Sequence, residues 1–226
     1  MNDRDSAQPS APGEGALRDR LLSIAGQLLQ KHGPDKFSIR ELAREGAIST
    51  MGIYTVFGGR AGVMQALYAE GFAKQHAHAA AAVDRENPRQ WLIGELYAYR
   101  NFALGNVGLY RLMFGGEKRF TPAGRDRQFQ GMAVPDAGAY PVYSILVDAI
   151  AACLAESPAG TARSVRSAET LAHVVWATLH GLVGLEIAGY VYPEASEDRF
   201  KTGVACILEW VIANRPAAGP LNPASA

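Results

Sequence analysis

The chain has 226 residues, of which 48% are hydrophobic, and its 22 basic and 22 acidic residues give a formal net charge of zero. This composition indicates a globular protein with a core in one or two domains and excludes a largely disordered chain. The neutral balance offers no general attraction for nucleic acid, so any basic surface must be local.

Targeting and membrane signals are weak in this sequence. The first 15 residues lack an apolar core, and the uncharged stretch Thr170 to Leu185 has 16 residues with two histidines, too short and polar to cross a bilayer. Cys153 and Cys206 fit a reducing compartment, where thiols act as small apolar fillers. We expect a cytoplasmic protein without a membrane partner. A redox pair is not favoured, since neither cysteine lies in a basic or CxxC setting.

The predicted helices begin after a tail. Residues 1–15 and 214–226 are rich in small, polar and proline residues, so both ends are expected to be disordered or flexible. The first helix is indicated by apolar residues at helical spacing, and Gly33 with Pro34 ends it. Its apolar positions are Leu17, Leu21, Ile24, Ala25 and Leu28.

The second helix has a marked start. Ser38 with Glu41 three residues later forms a capping-box pattern, and Phe37 and Leu42 occupy the positions of a hydrophobic staple. The helix is predicted to be short, because Gly46 can adopt the left-handed conformation that closes a helix.

The third helix is equally well delimited. Ser49 can cap its start, and Gly58 with Gly59 breaks the chain after Phe57. Two short helices joined by a turn with a glycine are typical of the helix-turn-helix, whose second helix enters the major groove of DNA.

Helical periodicity continues through the rest of the chain, apart from a predicted loop at residues 115–140. The segment at 164–191 is apolar nearly all round, so we expect burial on more than one side. Further helices are predicted at residues 63–83, 88–104, 109–114, 141–156 and 196–213. The sequence predicts an all-α fold, with a three-helix domain at 16–62 and a larger helical bundle at 63–213.

The third helix has a distinct outward face. Packing Ile53 and Phe57 inward turns Ser49, Thr50, Met51 and Thr55 outward, where short side chains can approach phosphates or base edges. Tyr54 can offer its hydroxyl to a phosphate. From Ala16 to Gly62, seven basic residues stand against four acidic ones, a local excess of positive charge that fits a phosphate-facing surface.

The segment FSIRELAREGAISTMGIYTVFGGR resembles the DNA-binding region of the TetR family of bacterial regulators, and the similarity extends over Leu17 to Ala69. In the C-terminal half, VVWATLHGLVGLE is similar to one branch of that family, through the Trp-His-Gly signature of Trp176, His180 and Gly181; LYRLMFGGE also resembles it. The resemblance implies an all-α homodimer that represses transcription and releases DNA on binding a small molecule. It also implies that the bundle at 63–213 is the ligand-binding and dimerisation domain.

The same resemblance implies contacts to DNA. It assigns phosphate to Ser38 and Arg60, the groove or backbone to Arg40, bases to Thr50 and Met51, and backbone to Tyr54 and Thr55. Two positions depart from the common pattern: Gly52 stands where threonine is frequent, and Thr55 where histidine is frequent.

Structural interpretations of these residues stay open. Ser38 is also a helix cap, Tyr54 can be a half-buried aromatic, and Met51 can simply shield the turn. Arg60 at a helix start opposes the helix macrodipole, which favours an anionic partner over a purely structural role.

Several residues of the C-terminal half are candidates for a ligand pocket or for the core. They are Trp91, Tyr97, Tyr110, Phe114, Tyr143, Trp176 and His180. A hydrogen-bonded core histidine is the favoured interpretation of His173 and His180, and no metal site or cofactor is predicted. Glu186 lies in apolar company and needs a partner, which is a dimer contact, a core donor or a ligand cation.

We therefore expect a ligand-responsive repressor that binds a palindromic double-stranded DNA operator as a homodimer. Residues 164–213 would pair across a twofold axis, and the two recognition helices would lie about 34 Å apart or near a multiple of it. The alternative is a helical-bundle small-molecule-binding protein or an enzyme without DNA binding. The enzyme alternative lacks Glu-x-x-His pairs, a Gly-rich phosphate loop and a Ser-His-Asp set.

Overall fold

The computed structural model describes residues 12–115, 141–155 and 167–213. Every regular element in these ranges is an α-helix, which confirms the predicted fold class. The helices are α1 (Pro12–His32), α2 (Ile39–Glu45), α3 (Thr50–Phe57), α4 (Arg60–Ala81), α5 (Pro88–Gly105), α6 (Val107–Phe114), α7 (Pro141–Ala155), α8 (Ala168–Ile187) and α9 (Pro193–Ala213). Residues 1–11 of the predicted tail at 1–15, the predicted tail at 214–226, and residues 116–140 of the predicted loop lie outside the described residues. Residues 12–15 belong to α1, so the helix begins earlier than the sequence predicted.

The start of α2 is confirmed at Ser38, whose Oγ accepts a hydrogen bond from the backbone N–H of Glu41 at 3.4 Å. The second hydrogen bond that a capping box requires, from the backbone N–H of Ser38 to the side chain of Glu41, is not formed among the described residues, so this part of the prediction is wrong. The carboxylate of Glu41 contacts His32 Nε2 at 3.3 Å, because α1 ends beside α2 and offers a partner from another helix. Phe37 and Leu42 are both buried, as the staple requires.

The turn between α2 and α3 differs from the prediction. Gly46 is right-handed, with φ of −78°, and the left-handed residue is Ala47, with φ of 51°. Glycine is needed at position 46 for space, because a Cβ there would lie 2.5 Å from Leu21 Cδ2 and 2.9 Å from the carbonyl oxygen of Leu42. The glycine therefore allows close packing on α1, and the strained conformation falls on the next residue.

Both ends of α3 agree with the prediction. Ser49 Oγ accepts the N–H of Gly52 at 3.1 Å. Gly58 is left-handed, with φ of 73°, and its N–H donates to the carbonyl oxygen of Tyr54. These local signals fix a helix of two turns.

The chain divides into two compact units, which interleave in sequence where the predicted domains are contiguous. The first contains α1 to α3, α4 up to Gly71, and α6. Within it α6 packs on α1: the N–H of Gly108 donates to Gln30 Oε1 at 2.7 Å, and a Cβ on Gly108 would lie 2.7 Å from the carbonyl oxygen of Leu29. A glycine on α6 thus permits the close crossing with α1.

The second unit contains the rest of α4 together with α5, α7, α8 and α9. Helix α5 is its centre and packs on α7, α8 and α9. Cys153 is buried, and its Sγ donates to the carbonyl oxygen of Pro88 at 3.1 Å, whereas Cys206 is exposed. The expectation of an apolar filler therefore holds for Cys153 and is wrong for Cys206, which lies on the outer side of α9.

Helix α8 is buried on one face only within this chain. Its buried residues are Leu171, Ala172, Val175, Leu179 and Val183. Val174 and Leu185 are exposed, so the expectation of burial on more than one side is not met within a single chain. The helix has 20 residues and is, in the described part of the chain, long and apolar enough by length and composition to cross a membrane. It is longer than the uncharged stretch that the sequence suggested.

Candidate functional site

The first unit presents one face of α3 to solvent. Ile53 and Phe57 are buried, and with Leu42 and Ala43 of α2 they form part of the core. The opposite face is exposed, with Met51 at 72% and Tyr54 at 56% of full exposure. Its exposed residues are Ser49, Thr50, Met51, Tyr54 and Thr55. These five predicted DNA contacts therefore share one accessible surface, which we call the α3 face.

The hydroxyl groups of the α3 face are not equivalent. The oxygen of Ser49 caps the helix, and Thr55 Oγ1 donates its proton to the carbonyl oxygen of Met51 at 3.1 Å. Thr50 makes no side-chain hydrogen bond to the residues that the structure describes. Thr50 is therefore the hydroxyl of this face that can both donate and accept towards a ligand.

Tyr54 is held in place by a glycine. Its ring lies against Gly59, where φ is +98° and a Cβ would be 2.7 Å from Tyr54 Cε1. The bare α-carbon gives the ring a surface to lie on, while more than half of the side chain stays exposed. This arrangement restricts the ring before any ligand arrives, which lowers the entropy that binding must remove.

Arg60 has a structural role. Its Nη2 donates to the carbonyl oxygen of Pro34 at 2.6 Å, and its Nε donates to that of Phe37 at 3.5 Å. Arg20 acts similarly on the next turn, where its Nη2 donates to the carbonyl oxygen of Gly46 at 3.1 Å. Both guanidinium groups fasten the loops around α2, and thereby set the position of Ser38 at its start.

Other arginines of this unit are also engaged. The guanidinium of Arg18 lies 5.2 Å from the ring centroid of Phe57, and Arg44 contacts Glu45 at 3.0 Å and Glu41 at 3.6 Å. Their charges are partly neutralised or directed at the core. A positive patch for phosphate must come from elsewhere.

Lys36 and Arg40 carry charges directed to solvent. Both are exposed, and neither makes an ion pair or side-chain hydrogen bond with the described residues. They flank Ser38 at the start of α2, where the helix dipole also favours an anion. Arg40 was predicted from the sequence. Lys36 was not among the predicted DNA contacts. Its exposed position directly before the buried Phe37 is the signal that could have identified it as a candidate.

Part of the predicted ligand-pocket set forms an aromatic cluster in the second unit. His180 Nδ1 lies 2.6 Å from the hydroxyl of Tyr99, and the ring of Trp176 is 4.7 Å from that of His180. Tyr143 contacts Trp176 edge-on, with ring centroids 6.0 Å apart. Burial lowers the pKa of His180 to about 4, so the ring is neutral near pH 7. His180 is thus a half-buried histidine that is hydrogen-bonded to Tyr99, as the favoured interpretation expects. His173 differs from that interpretation, because its Nδ1 is buried without a hydrogen-bond partner among the described residues.

The remaining members of that set lie elsewhere. Tyr97 packs edge-on against Phe200, with ring centroids 5.1 Å apart. Trp91 is buried at the start of α5. Tyr110 and Phe114 belong to the first unit, where their ring centroids are 5.3 Å apart. The seven predicted residues are therefore divided between the two units.

Glu186 finds a core donor, one of the three partners that the sequence allowed. Arg100 donates to it twice, from Nε to Oε2 at 3.0 Å and from Nη2 to Oε1 at 2.8 Å, and Ser196 Oγ also donates to Oε1. Burial alone would raise the pKa of Glu186, but these hydrogen bonds and the Arg100 charge outweigh it and hold the pKa below its usual value. Arg100 was missed because its partner is 86 residues away in sequence.

Comparison with known proteins gives a family match. The family described as "Tetracyclin repressor-like, C-terminal domain" matches residues 95–207, which is half of the chain. No curated protein sequence matches significantly.

Solved structures share the fold over nearly the whole chain. A Rhodococcus sp. RHA1 protein of unknown function has a TM-score of 0.68 at 23% identity, covering 92% of this chain and 98% of its own. The TetR family transcriptional regulator PfmR from Thermus thermophilus has a TM-score of 0.62 at 19% identity, with coverage of 84% and 98%. A TetR variant from Acinetobacter baumannii AYE, in complex with minocycline, has a TM-score of 0.59 at 16% identity, with coverage of 87% and 97%.

Proposed function

The chain belongs to the TetR family of transcriptional regulators, and on that basis we propose that it is a repressor which binds a palindromic DNA operator as a homodimer. A small-molecule effector would release it. A regulator of this kind works in the cytoplasm, where the DNA lies. The observation that carries the proposal is the α3 face, whose polar and aromatic side chains stand on a buried scaffold in a unit that also exposes Lys36 and Arg40.

The α3 face suits the major groove. Thr50 and Met51 lie in the first turn of the recognition helix, which is the part that reaches base edges in helix-turn-helix proteins. Tyr54 is placed to donate to a phosphate, while Lys36 and Arg40 supply charge for phosphates at the start of α2. Gly52 leaves the middle of the face bare because it has no side chain, and a Cβ there would lie only 3.0 Å from Ile48 Cδ1. Base reading then depends on Thr50, Met51 and Arg40.

Helix α8 supports the homodimer. A helix that is apolar on both sides needs a second cover. Exposed residues of α8 recur at helical spacing along one stripe, which consists of Val174, Ala177, Thr178, Gly181 and Leu185 and is continued by Ala188 at the C-cap. A Cβ at Gly181 or Gly184 would meet no atom within 4 Å, so a partner helix can approach closely. We propose that α8 and α9 pair with their copies across a twofold axis.

Release by an effector requires coupling between the two units. A ligand shifts the equilibrium only by preferring one conformation, and such couplings are typically about 1–3 kcal/mol. Helix α4 contributes residues to both units and is the candidate link. We place the effector in the second unit.

The test is a footprint on duplex DNA flanking the protein's own gene. The proposal predicts protection of a palindrome whose two halves are about one helical turn apart or a multiple of it. Absence of any sequence-specific protection at about 100 mM salt, where phosphate contacts still bind strongly, would overturn it.

A further inference from the structure

Glu95 is a buried carboxyl to which none of the described residues donates a hydrogen bond. The residue is 5% exposed, and its Oε2 is buried with no hydrogen-bond partner among the described residues. No ion pair reaches it from those residues either. Buried acids normally find a hydrogen-bond partner, because an unsatisfied polar group in an apolar setting is costly. Among the described residues, Glu95 therefore lacks the donor or cation that a buried carboxyl normally pairs with.

A second unmet group lies one turn earlier on the same helix. Trp91 is 2% exposed, and its indole Nε1–H is buried without an acceptor among the described residues. One turn later, Tyr99 is buried and its hydroxyl joins the aromatic cluster through His180. Residues four apart are neighbours on a helix, with about 5–6 Å between Cβ atoms. Trp91, Glu95 and Tyr99 thus form one inward stripe, which we call the α5 stripe.

A purely structural role does not account for the α5 stripe. Further along the same helix, Arg100 donates two hydrogen bonds to Glu186. This is the pairing expected of a carboxylate whose role is to stabilise the fold. Glu95 receives nothing comparable. Burial raises its pKa to about 7, and a protonated carboxyl still carries an O–H donor that needs an acceptor.

Cations already lie against aromatic rings in this unit. The guanidinium of Arg85 is 5.3 Å from the ring centroid of Trp91, and that of Arg100 is 4.8 Å from the ring centroid of Phe200. A positive group is therefore compatible with the ring at one end of the α5 stripe. A carboxylate next to an aromatic ring is a typical site for an organic ammonium ion.

We propose that the α5 stripe binds the effector, and that the effector is an organic cation whose ammonium group pairs with Glu95 while an oxygen acceptor receives the indole N–H of Trp91. That this ligand acts as an effector rests on the proposed function, whereas the binding of the cation to Glu95 and Trp91 does not. The aromatic ring of Tyr99 bounds the apolar part of the ligand. The two polar contacts distinguish this class from neutral apolar ligands and from anions.

The experiment uses the full chain and 3-phenoxypropylammonium, which carries an ammonium group and an ether oxygen. Titration calorimetry compares it with neutral 3-phenoxypropan-1-ol. We expect the cation to bind at least about tenfold more tightly, as a charge-assisted hydrogen bond predicts. Glu95→Gln should abolish that preference, and Glu86→Gln, the same change at an exposed glutamate, should leave it intact.

Trp91→Phe tests the second contact. The wild type should prefer 3-phenoxypropylammonium to 4-phenylbutylammonium, in which a methylene replaces the ether oxygen, and Trp91→Phe should lose that preference while still favouring cations. Equal binding of the ammonium ion and the alcohol, or no binding of either, would overturn the proposal. So would an intact cation preference in Glu95→Gln.

DNA binding separates this inference from the proposed function. If the wild type binds the cation but no DNA, the repressor assignment fails and the cation site stands. If it binds DNA without preferring the cation, the site fails alone.

Discussion

Arg100 and Glu186 are joined by two parallel hydrogen bonds of 3.0 and 2.8 Å, which tie α5 to α8. The same guanidinium donates to Ser196 at 2.9 Å and to Glu197 at 2.7 Å on α9. One side chain therefore fastens the two helices that we assign to the dimer interface to the centre of the second unit.

The first prediction concerns this ion pair. Glu186 is 15% exposed and Glu197 is 52% exposed, although both contact Arg100. Glu186→Gln should lower the free energy of unfolding by about 2 kcal/mol, because it leaves a buried guanidinium under-compensated. Glu197→Gln should cost less than about 1 kcal/mol, since exposed pairs are screened by solvent. Urea denaturation at one protein concentration measures both, and equal losses would contradict the assigned roles.

The turn before α3 gives a paired prediction. Ala47→Gly should stabilise the protein by up to about 1 kcal/mol, because alanine is strained at a φ of 51°. Gly46→Ala should destabilise it, because the added Cβ meets Leu21 and the backbone of Leu42. Thermal unfolding followed by circular dichroism compares the two. A gain from Gly46→Ala would show that the left-handed residue is assigned to the wrong position.

Glu95 gives a pH-dependent prediction. Burial raises its pKa from 4.5 to about 7, so the folded chain holds a proton in that window that the unfolded chain has lost, and stability falls as the pH rises. Glu95→Gln removes the effect. Its stability relative to the wild type should increase by roughly 2 to 3 kcal/mol between pH 5 and pH 8. Glu86→Gln should show no such trend, and a flat difference for Glu95→Gln would place the carboxyl in contact with solvent or a donor.

The dimer interface can be tested with two valines of similar exposure. Val174 on α8 is 39% exposed, and Val83, after α4, is 37% exposed. Val174→Glu should place a charge in the apolar interface and shift the protein to monomers in analytical ultracentrifugation. Val83→Glu should leave the dimer unchanged. Loss of the dimer in both variants, or in neither, would count against pairing through α8.

Local sequence signals predicted the start of α2 and both ends of α3. Ser38, Ser49 and Gly58 act on residues within four positions of themselves, so caps and helix ends follow from short motifs. The error at the turn arose because Gly46 was explained by its backbone freedom. Its actual constraint is steric and comes from Leu21, 25 residues earlier in the chain, which no local pattern reveals.

The sequence did not reveal which residues far apart in the chain pair with each other. The need of Glu186 for a partner was evident from its apolar neighbours, but Arg100 could not be chosen among the basic residues without the crossing of α5 and α8. Arg60 shows the same limit: its position suggested a phosphate, while its contacts with Pro34 and Phe37 depend on how the loop before α2 folds back. The burial of Glu95 was not predicted, because it depends on how the other helices pack against this turn of α5.

Arg60 is consequently a poor residue with which to test DNA binding, because its loss would also disturb the loop before α2. Arg40 and Tyr54 are better choices, as both project from the first unit without fastening another segment by a side-chain hydrogen bond. Arg111, exposed on α6 of the same unit, provides the matched control for removal of a positive charge.

The most direct test of DNA recognition by the α3 face is the salt dependence of operator affinity, measured by fluorescence anisotropy for the wild type, Arg40→Ala, Tyr54→Phe and Arg111→Ala. Arg40→Ala should weaken binding and reduce the slope of log K against log salt by about 1. Tyr54→Phe should weaken binding at an unchanged slope, and Arg111→Ala should match the wild type. Wild-type affinity and slope in both Arg40→Ala and Tyr54→Phe, with an unchanged circular dichroism spectrum, would contradict the account.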